Sequence, residues 1–176
     1  MQTELFNQTT TTTATPTQPT PDTLSEARQR VRDGMRDGIT CPCCEQLVKV
    51  YRRRMTATHA RILLGLLAAH DAAGGPVKTS AIPLGSGDAR TAGGDIGKLE
   101  LFRLVRRVDG DRWAPSELGR RWAAGERVCA DWLDVVNGRI IDRADTHRTI
   151  AEALGERFDL ARVWQEARQG AQRAAR

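Results

Sequence analysis

Residues 99–124 read LELFRLVRRVDGDRWAPSELGRRWAA, and the change of period inside this stretch decides the fold. Leu99, Phe102 and Leu104 close an apolar helical face. Val105 and Val108 then alternate with Arg106 and Arg107, the period of a half-buried strand. Asp109-Gly110-Asp111 supplies a turn, since glycine takes positive φ at little cost and aspartate tolerates it. Arg112-Trp113-Ala114 returns as a second strand. Pro115 stops that strand, and Ser116 is placed to cap a helix in which Leu118 and Trp122 share a face. The stretch reads as helix, small basic hairpin, helix.

The run L..LVRRVDGDRWAPSELGRRW resembles the pattern of winged-helix regulators, in which an apolar helix end leads into a wing and then a further helix. The resemblance covers about residues 56–125. It implies an α+β fold, a winged-helix core over residues 56–127, and a wing whose Arg106, Arg107 and Arg112 contact DNA phosphates.

The 176 residues suit one domain with appendages. The net charge of +5 permits an anionic partner without requiring one. Lysine occurs only at positions 49, 78 and 98, so nearly all the positive charge is arginine. A guanidinium fork suits phosphate or carboxylate; a GC-rich genome, whose codons favour Arg, Ala and Gly, produces the same bias. No apolar run approaches the roughly 20 residues of a membrane helix, and no secretory signal opens the chain. The expected compartment is the cytoplasm.

Residues 1–22 form a Thr/Pro/Gln tract without apolar periodicity, expected to be a disordered tail. Residues 23–55 should hold a helix, a cysteine knuckle and a strand. Asp22 or Thr23 can cap the helix, and Leu24, Ala27, Val31 and Met35 recur at helical spacing to about residue 37. The knuckle holds three of the four cysteines, in Cys41-Pro42-Cys43-Cys44. The CxxC pair Cys41/Cys44, with Cys43 able to replace either, is half of a structural zinc site. Cys129 and the histidines at 59, 70 and 147 match no standard finger spacing. Zinc shared by two chains, inert reduced thiols and a redox pair all remain open, although the redox reading lacks a βαβ context.

Gln46–Arg54 reads as a strand ending in the positive run Arg52-Arg53-Arg54, which can grip a DNA backbone. Thr56 or Thr58 then caps the strongest helix, with Ile62, Leu63, Leu66 and Leu67 on its buried face and Gly74-Gly75-Pro76 as its stop. Val77–Leu84 fits a short strand and a short second helix. Glycine is frequent over residues 85–97, so the recognition helix is expected to start only near Gly94 or Asp95. Arg90, Thr91 and Lys98 are its candidate DNA contacts.

Residues 128–170 should form a β-hairpin and two helices. Asn137-Gly138 is a strong hairpin signal, with Ile140 and Ile141 facing Val135 and Val136. Asp145 or Thr146 is placed to cap one helix and Asp159 the next, where Leu160, Val163, Trp164 and Ala167 form a stripe. The motifs from TCPCC and VKVYRRR through GDIGKL to TIAEALGERFDL resemble small proteins of bacteriophages and prophages carrying an N-terminal CPxC knuckle.

No P-loop, GxSxG, HExxH or dinucleotide fingerprint occurs, so the expectation is a non-enzyme. Two function classes follow. One is a winged-helix transcription regulator that binds double-stranded DNA, as a homodimer reading two half-sites. The other is a protein-interaction module that binds and inhibits a host or defence protein.

Overall fold

Helix α2 (Ala57–Ala73) is the axis of the molecule. Its Ile62, Leu63, Leu64, Leu66 and Leu67 are all buried, as are Ala60, Ala68 and Ala69. A helix apolar on every side must be covered on every side. The expected single buried face is therefore replaced by an enveloped helix. In the computed structural model, which describes residues 23–84 and 89–174 (of 89–91 the backbone alone), the covering comes from α3 (Ala89–Leu101), α4 (Glu117–Ala123), α5 (Ile150–Leu154) and α6 (Leu160–Ala174). Gly74, at φ 68°, ends α2 in a left-handed cap.

The stretch 99–124 folds as its pattern requires. Strands β5 (Val105–Asp109) and β6 (Arg112–Pro115) pair antiparallel, and β4 (Val77–Lys78) adds to the other side of β6. Ser116 caps α4: its Oγ accepts from Gly119 N at 2.9 Å. Ile62, Leu66, Leu67, Leu99, Phe102, Leu104 and Trp122 are buried, and Leu118 is half-buried on the same core. Two expectations in this stretch change. Val108, three residues from Val105, falls on the opposite face of the strand by plain alternation and is 44% exposed, beside a register shift between Arg107 and Asp109. Helix α3 begins at Ala89 rather than near Gly94, because Ala92, Ile96 and Leu99 bury against α2 and outweigh the poor propensity of its glycines.

A second sheet joins distant parts of the chain. Strand β3 (Tyr51–Arg54) pairs with β8 (Trp132–Val136), and β8 with β9 (Arg139–Arg143). Asn137 and Gly138 both take positive φ, 48° and 75°, as a two-residue hairpin turn demands. Ile140 faces Val135 as read, but Ile141 sits at a register shift and Val136 faces Arg139. Residues 46–54 are not one strand. Strand β2 (Leu47–Val48) pairs with β1 (Ile39–Thr40), and Val50 N leaves to bond Met35 O at 2.8 Å before β3 begins.

Helix α1 (Leu24–Gly34) has the Thr23/Glu26 capping box, yet only Ala27 is buried. Residues 1–22, read as a tail, lie outside the described residues. Towards the C-terminus, His147 and Arg148 form strand β10 against β7 (Cys129–Ala130), so neither Asp145 nor Thr146 caps a helix. Thr149 caps α5 instead, its Oγ1 accepting from Glu152 N. Helix α6 starts on Asp159, whose Oδ1 accepts from Arg162 N at 2.7 Å. It runs to Ala174 because Ala171 is buried with Val163 and Ala167 along its stripe against α2.

His59 in the first turn of α2 is buried. Its Nδ1 accepts from Thr56 N at 3.2 Å, which places the neutral ring's proton on Nε2. Nε2 has no partner among the described residues. Burial lowers the pKa of His59, the neighbouring carboxylate of Asp95 opposes the shift, and Lys98 adds to it. The unfolded chain therefore takes up a proton near pH 6.5 before the folded one does, and the folded state loses stability as pH falls further towards the folded pKa. Denaturant midpoints measured between pH 7.5 and 5 should decline, and His59→Gln should flatten that part of the profile. An identical slope in the variant would remove His59 as the cause.

Candidate functional site

Residues opposite each other in an antiparallel pair share a face of the sheet, and successive residues alternate between faces. In the order β4-β6-β5, Val77, Trp113, Pro115, Val105 and Arg107 thus fall on one face. Lys78, Arg112 and Arg106 fall on the other. The first face is the more deeply covered: Val77, Val105 and Trp113 are buried on it, while on the second only Ala114, opposite Arg106, is buried. Arg107 belongs to the first face, with its guanidinium 4.6 Å from the centre of the Trp113 ring. That position sets it apart from the other two wing arginines with which the sequence grouped it.

Lys78, Arg106 and Arg112 are exposed, and none forms an ion pair among the described residues. Lys78 stands directly across from Arg112. Like charges in that position repel. Asp109, also opposite Arg112, is the nearest acid in the register. At the wing tip, Asp111 accepts a hydrogen bond from Thr79 Oγ1, which ties the hairpin to the 3-10 turn Thr79–Ala81. The sequence reading did not group Lys78 with these arginines; its signal was a lysine two residues past Pro76, in the strand that pairs with β6.

Helix α3 lies beside this sheet and offers less. Lys98 is ion-paired with Asp95 one turn earlier, and both are half-buried. Gly93 and Gly94 are exposed, and a side chain built at Gly94 or Gly97 would meet nothing within 4 Å. The side chains of Arg90 and Thr91 lie outside the described residues.

The run Arg52-Arg53-Arg54 divides in the same way. Arg52 is bound to Asp134 in a two-pronged contact, Nε to Oδ1 at 2.8 Å and Nη2 to Oδ2 at 2.9 Å. Its guanidinium also lies 3.6 Å above the Trp132 ring. Asp134 is buried, with Arg36 a second cation at 3.6 Å. Arg53 lies over the Tyr51 ring. Arg54 is exposed and opposite Trp132. The wing sheet and the β3 sheet are separate sheets, so the two basic groups do not form one surface by strand pairing.

Cys41, Cys43 and Cys44 occupy the loop of the β1–β2 hairpin. Cys41 N donates to Gln46 O and Glu45 N to Cys41 O, with Glu45 in the left-handed region at φ 60°. The N–H groups of Cys43 and Cys44 donate to the Cys41 sulfur and hold its thiol below the usual value. No group of three or more His, Cys, Asp or Glu converges among the described residues. Cys129 belongs to the core: burial pushes its thiol up to about 12, so it stays protonated and packs as a small apolar group. His70 is a helix-end residue within 3.2 Å of Arg120, and His147 sits in β10. No described helix is long and apolar enough to cross a membrane.

Comparison with protein-family models, with curated proteins and with solved structures yields no match for the chain.

Proposed function

We propose that the chain is a non-enzymatic winged-helix protein of the phage regulator type, which binds double-stranded DNA in the cytoplasm mainly through its phosphates. The order of elements supports the fold half of this reading: helix, strand, turn, helix and hairpin, with the first strand added beside the last. The observation that carries the function half is the outer face of the wing, where Lys78, Arg106 and Arg112 stand exposed and, among the described residues, uncompensated by ion pairs. Bringing a phosphate between Lys78 and Arg112 converts a repulsion into two attractions, and releases counterions as it does so.

Lys78→Ala, Arg106→Ala and Arg112→Ala should each weaken binding to all duplex sequences by similar factors. Each should also flatten the dependence of log affinity on log salt by about 0.9 per contact removed. Their folds should persist, because exposed charges contribute little to stability. Arg107→Ala should act differently, chiefly through the loss of cover over Trp113. A duplex affinity no better than that for heparin, unchanged by the three outer substitutions, would overturn the reading.

The described outer face of α3 favours weak base reading, since its glycines present no donors and Lys98 is held by Asp95. That same surface is what supports the alternative of a module that binds a host or defence protein. A stoichiometric protein partner retained in high salt, with no salt-linked duplex affinity, would favour it.

A further inference from the structure

The β1–β2 hairpin is a poor structure to hold itself together. Each strand has two residues, and the hairpin forms a sheet of its own. Two-stranded hairpins are marginal in water unless something else fixes them. Of its four strand residues Val48 is buried and Ile39 is half-buried against Gly34 at the end of α1, while Thr40 and Leu47 are exposed. The loop is nevertheless shaped in detail. Pro42 fixes one φ, Glu45 takes a left-handed conformation, and the Cys41 backbone closes the loop on Gln46 and Glu45 at 2.8 and 2.9 Å.

The shape gathers sulfur. The N–H groups of Cys43 and Cys44 hydrogen-bond to the Cys41 sulfur, and so do both of their thiols. Cys44 is exposed and Cys41 half-exposed, so the pair opens to solvent. A closed structural zinc site needs four ligands in a tetrahedron. The CxxC pair Cys41 and Cys44 supplies two, and among the described residues no group of three or more His, Cys, Asp or Glu is arranged to hold an ion. On the same hairpin, opposite Thr40, the apolar Leu47 is 61% exposed.

We propose that Cys41 and Cys44 form half of a tetrathiolate zinc site, completed by the same pair from a second copy of the chain. Four thiolates then surround one ion about a two-fold axis, and the contact is the same patch on both copies, so it closes at the dimer. The same contact brings the two hairpins together, where each Leu47 loses exposed apolar surface. Binding releases the remaining thiol protons, and no electron is transferred. The inference is independent of the nucleic-acid reading, because it concerns assembly and stands or falls on metal and mass.

The test uses the full chain, purified under reducing conditions with zinc present. Metal analysis should find one zinc per two chains, and light scattering should give the mass of a dimer. Removing zinc with a strong chelator should halve the mass, and adding zinc back should restore it. Cobalt in place of zinc should give the intense sulfur-to-metal absorption of a tetrahedral four-thiolate site. Cys44→Ser should lose the metal and the dimer together, while its circular dichroism spectrum keeps the helices, which pack elsewhere. If that variant does not fold, the chelation and cobalt measurements on the native chain decide the matter. One zinc per monomer, no zinc at all, a dimer indifferent to chelation, or a cobalt spectrum with nitrogen or oxygen ligands would each overturn the proposal.

Discussion

Gly119→Ala should cost the molecule a large part of its stability. A Cβ at position 119 would lie 2.0 Å from Leu104 O, 2.9 Å from Leu104 C and 3.3 Å from Leu104 Cα. All three are backbone atoms, so no rotamer change relieves the clash. Nor is Leu104 free to withdraw: its side chain is buried, and its carbonyl accepts from Ser116 N at 3.0 Å. Arg103, one residue earlier, sits at φ 60° with its carbonyl accepting from Ser116 Oγ at 2.6 Å. The start of β5 and the start of α4 are thus bonded to each other at the point where the methyl group would enter. Relief requires α4 to lift, and α4 carries Trp122, fully buried, whose Nε1 donates to Arg148 O at 2.9 Å. Overpacking ordinarily costs about 1–3 kcal/mol, and a clash with fixed backbone belongs at or above the upper end of that range. Against a total stability of roughly 5–15 kcal/mol, that is a visible fall in denaturant midpoint. Gly94→Ala is the control. It lies in α3 with open space around it and should stabilise by about 0.5–1 kcal/mol through helix propensity. Equal midpoints for the two variants would show that the α4 junction is misplaced.

What the sequence made legible was local. The period change in 99–124, the cap at Ser116, the Asn137-Gly138 turn and the apolar density of α2 are each written within a few neighbouring residues. The α+β class follows from them. What stayed hidden depends on residues far apart in the chain. Nothing near Asp134 says that it will meet Arg52, because the pairing of β3 with β8 brings together residues 82 positions apart. Without that pairing, Arg52 reads as one more free cation and Asp134 as an ordinary surface acid. Lys78 has the same history: it gains meaning only when β4 adds to β6 and sets it across from Arg112. Val105 and Val108 are an odd number of residues apart, so strand alternation puts them on opposite faces, and grouping the two as one apolar face overlooked it. Helix α3 shows the opposite case, in which tertiary burial of Ala92, Ile96 and Leu99 overrode three glycines.

Asp134→Ala should destabilise the fold without weakening its proposed contact with DNA. The Asp134 carboxylate is covered by Arg52, which binds both its oxygens, and by Arg36 from the α1 side. Hydrogen bonds from Arg52 hold its pKa below the usual carboxylate range, burial opposes them, and the charges of Arg52 and Arg36 add to the lowering. The sign follows from linkage. A carboxyl that is more acidic in the folded state stabilises that state above the unfolded pKa, and the contribution is lost as pH falls through the folded value. Acid unfolding of the native chain below about pH 4 should therefore have a component that Asp134→Asn removes. At neutral pH, deleting one partner of a buried pair ordinarily costs about 3–5 kcal/mol. Here the surviving Arg52 is 43% exposed and can recover water, so the loss should be smaller, about 1–3 kcal/mol. The unfolding should begin where β3 meets β8, since that contact ties the α1 and knuckle region to the core. The same variant also separates the two basic groups. Releasing Arg52 adds a free cation near Arg54, so duplex affinity at constant salt should stay level or rise if the wing is the binding face. A fall in affinity, measured where the variant is still fully folded, would move the interface from the wing to the β3 sheet.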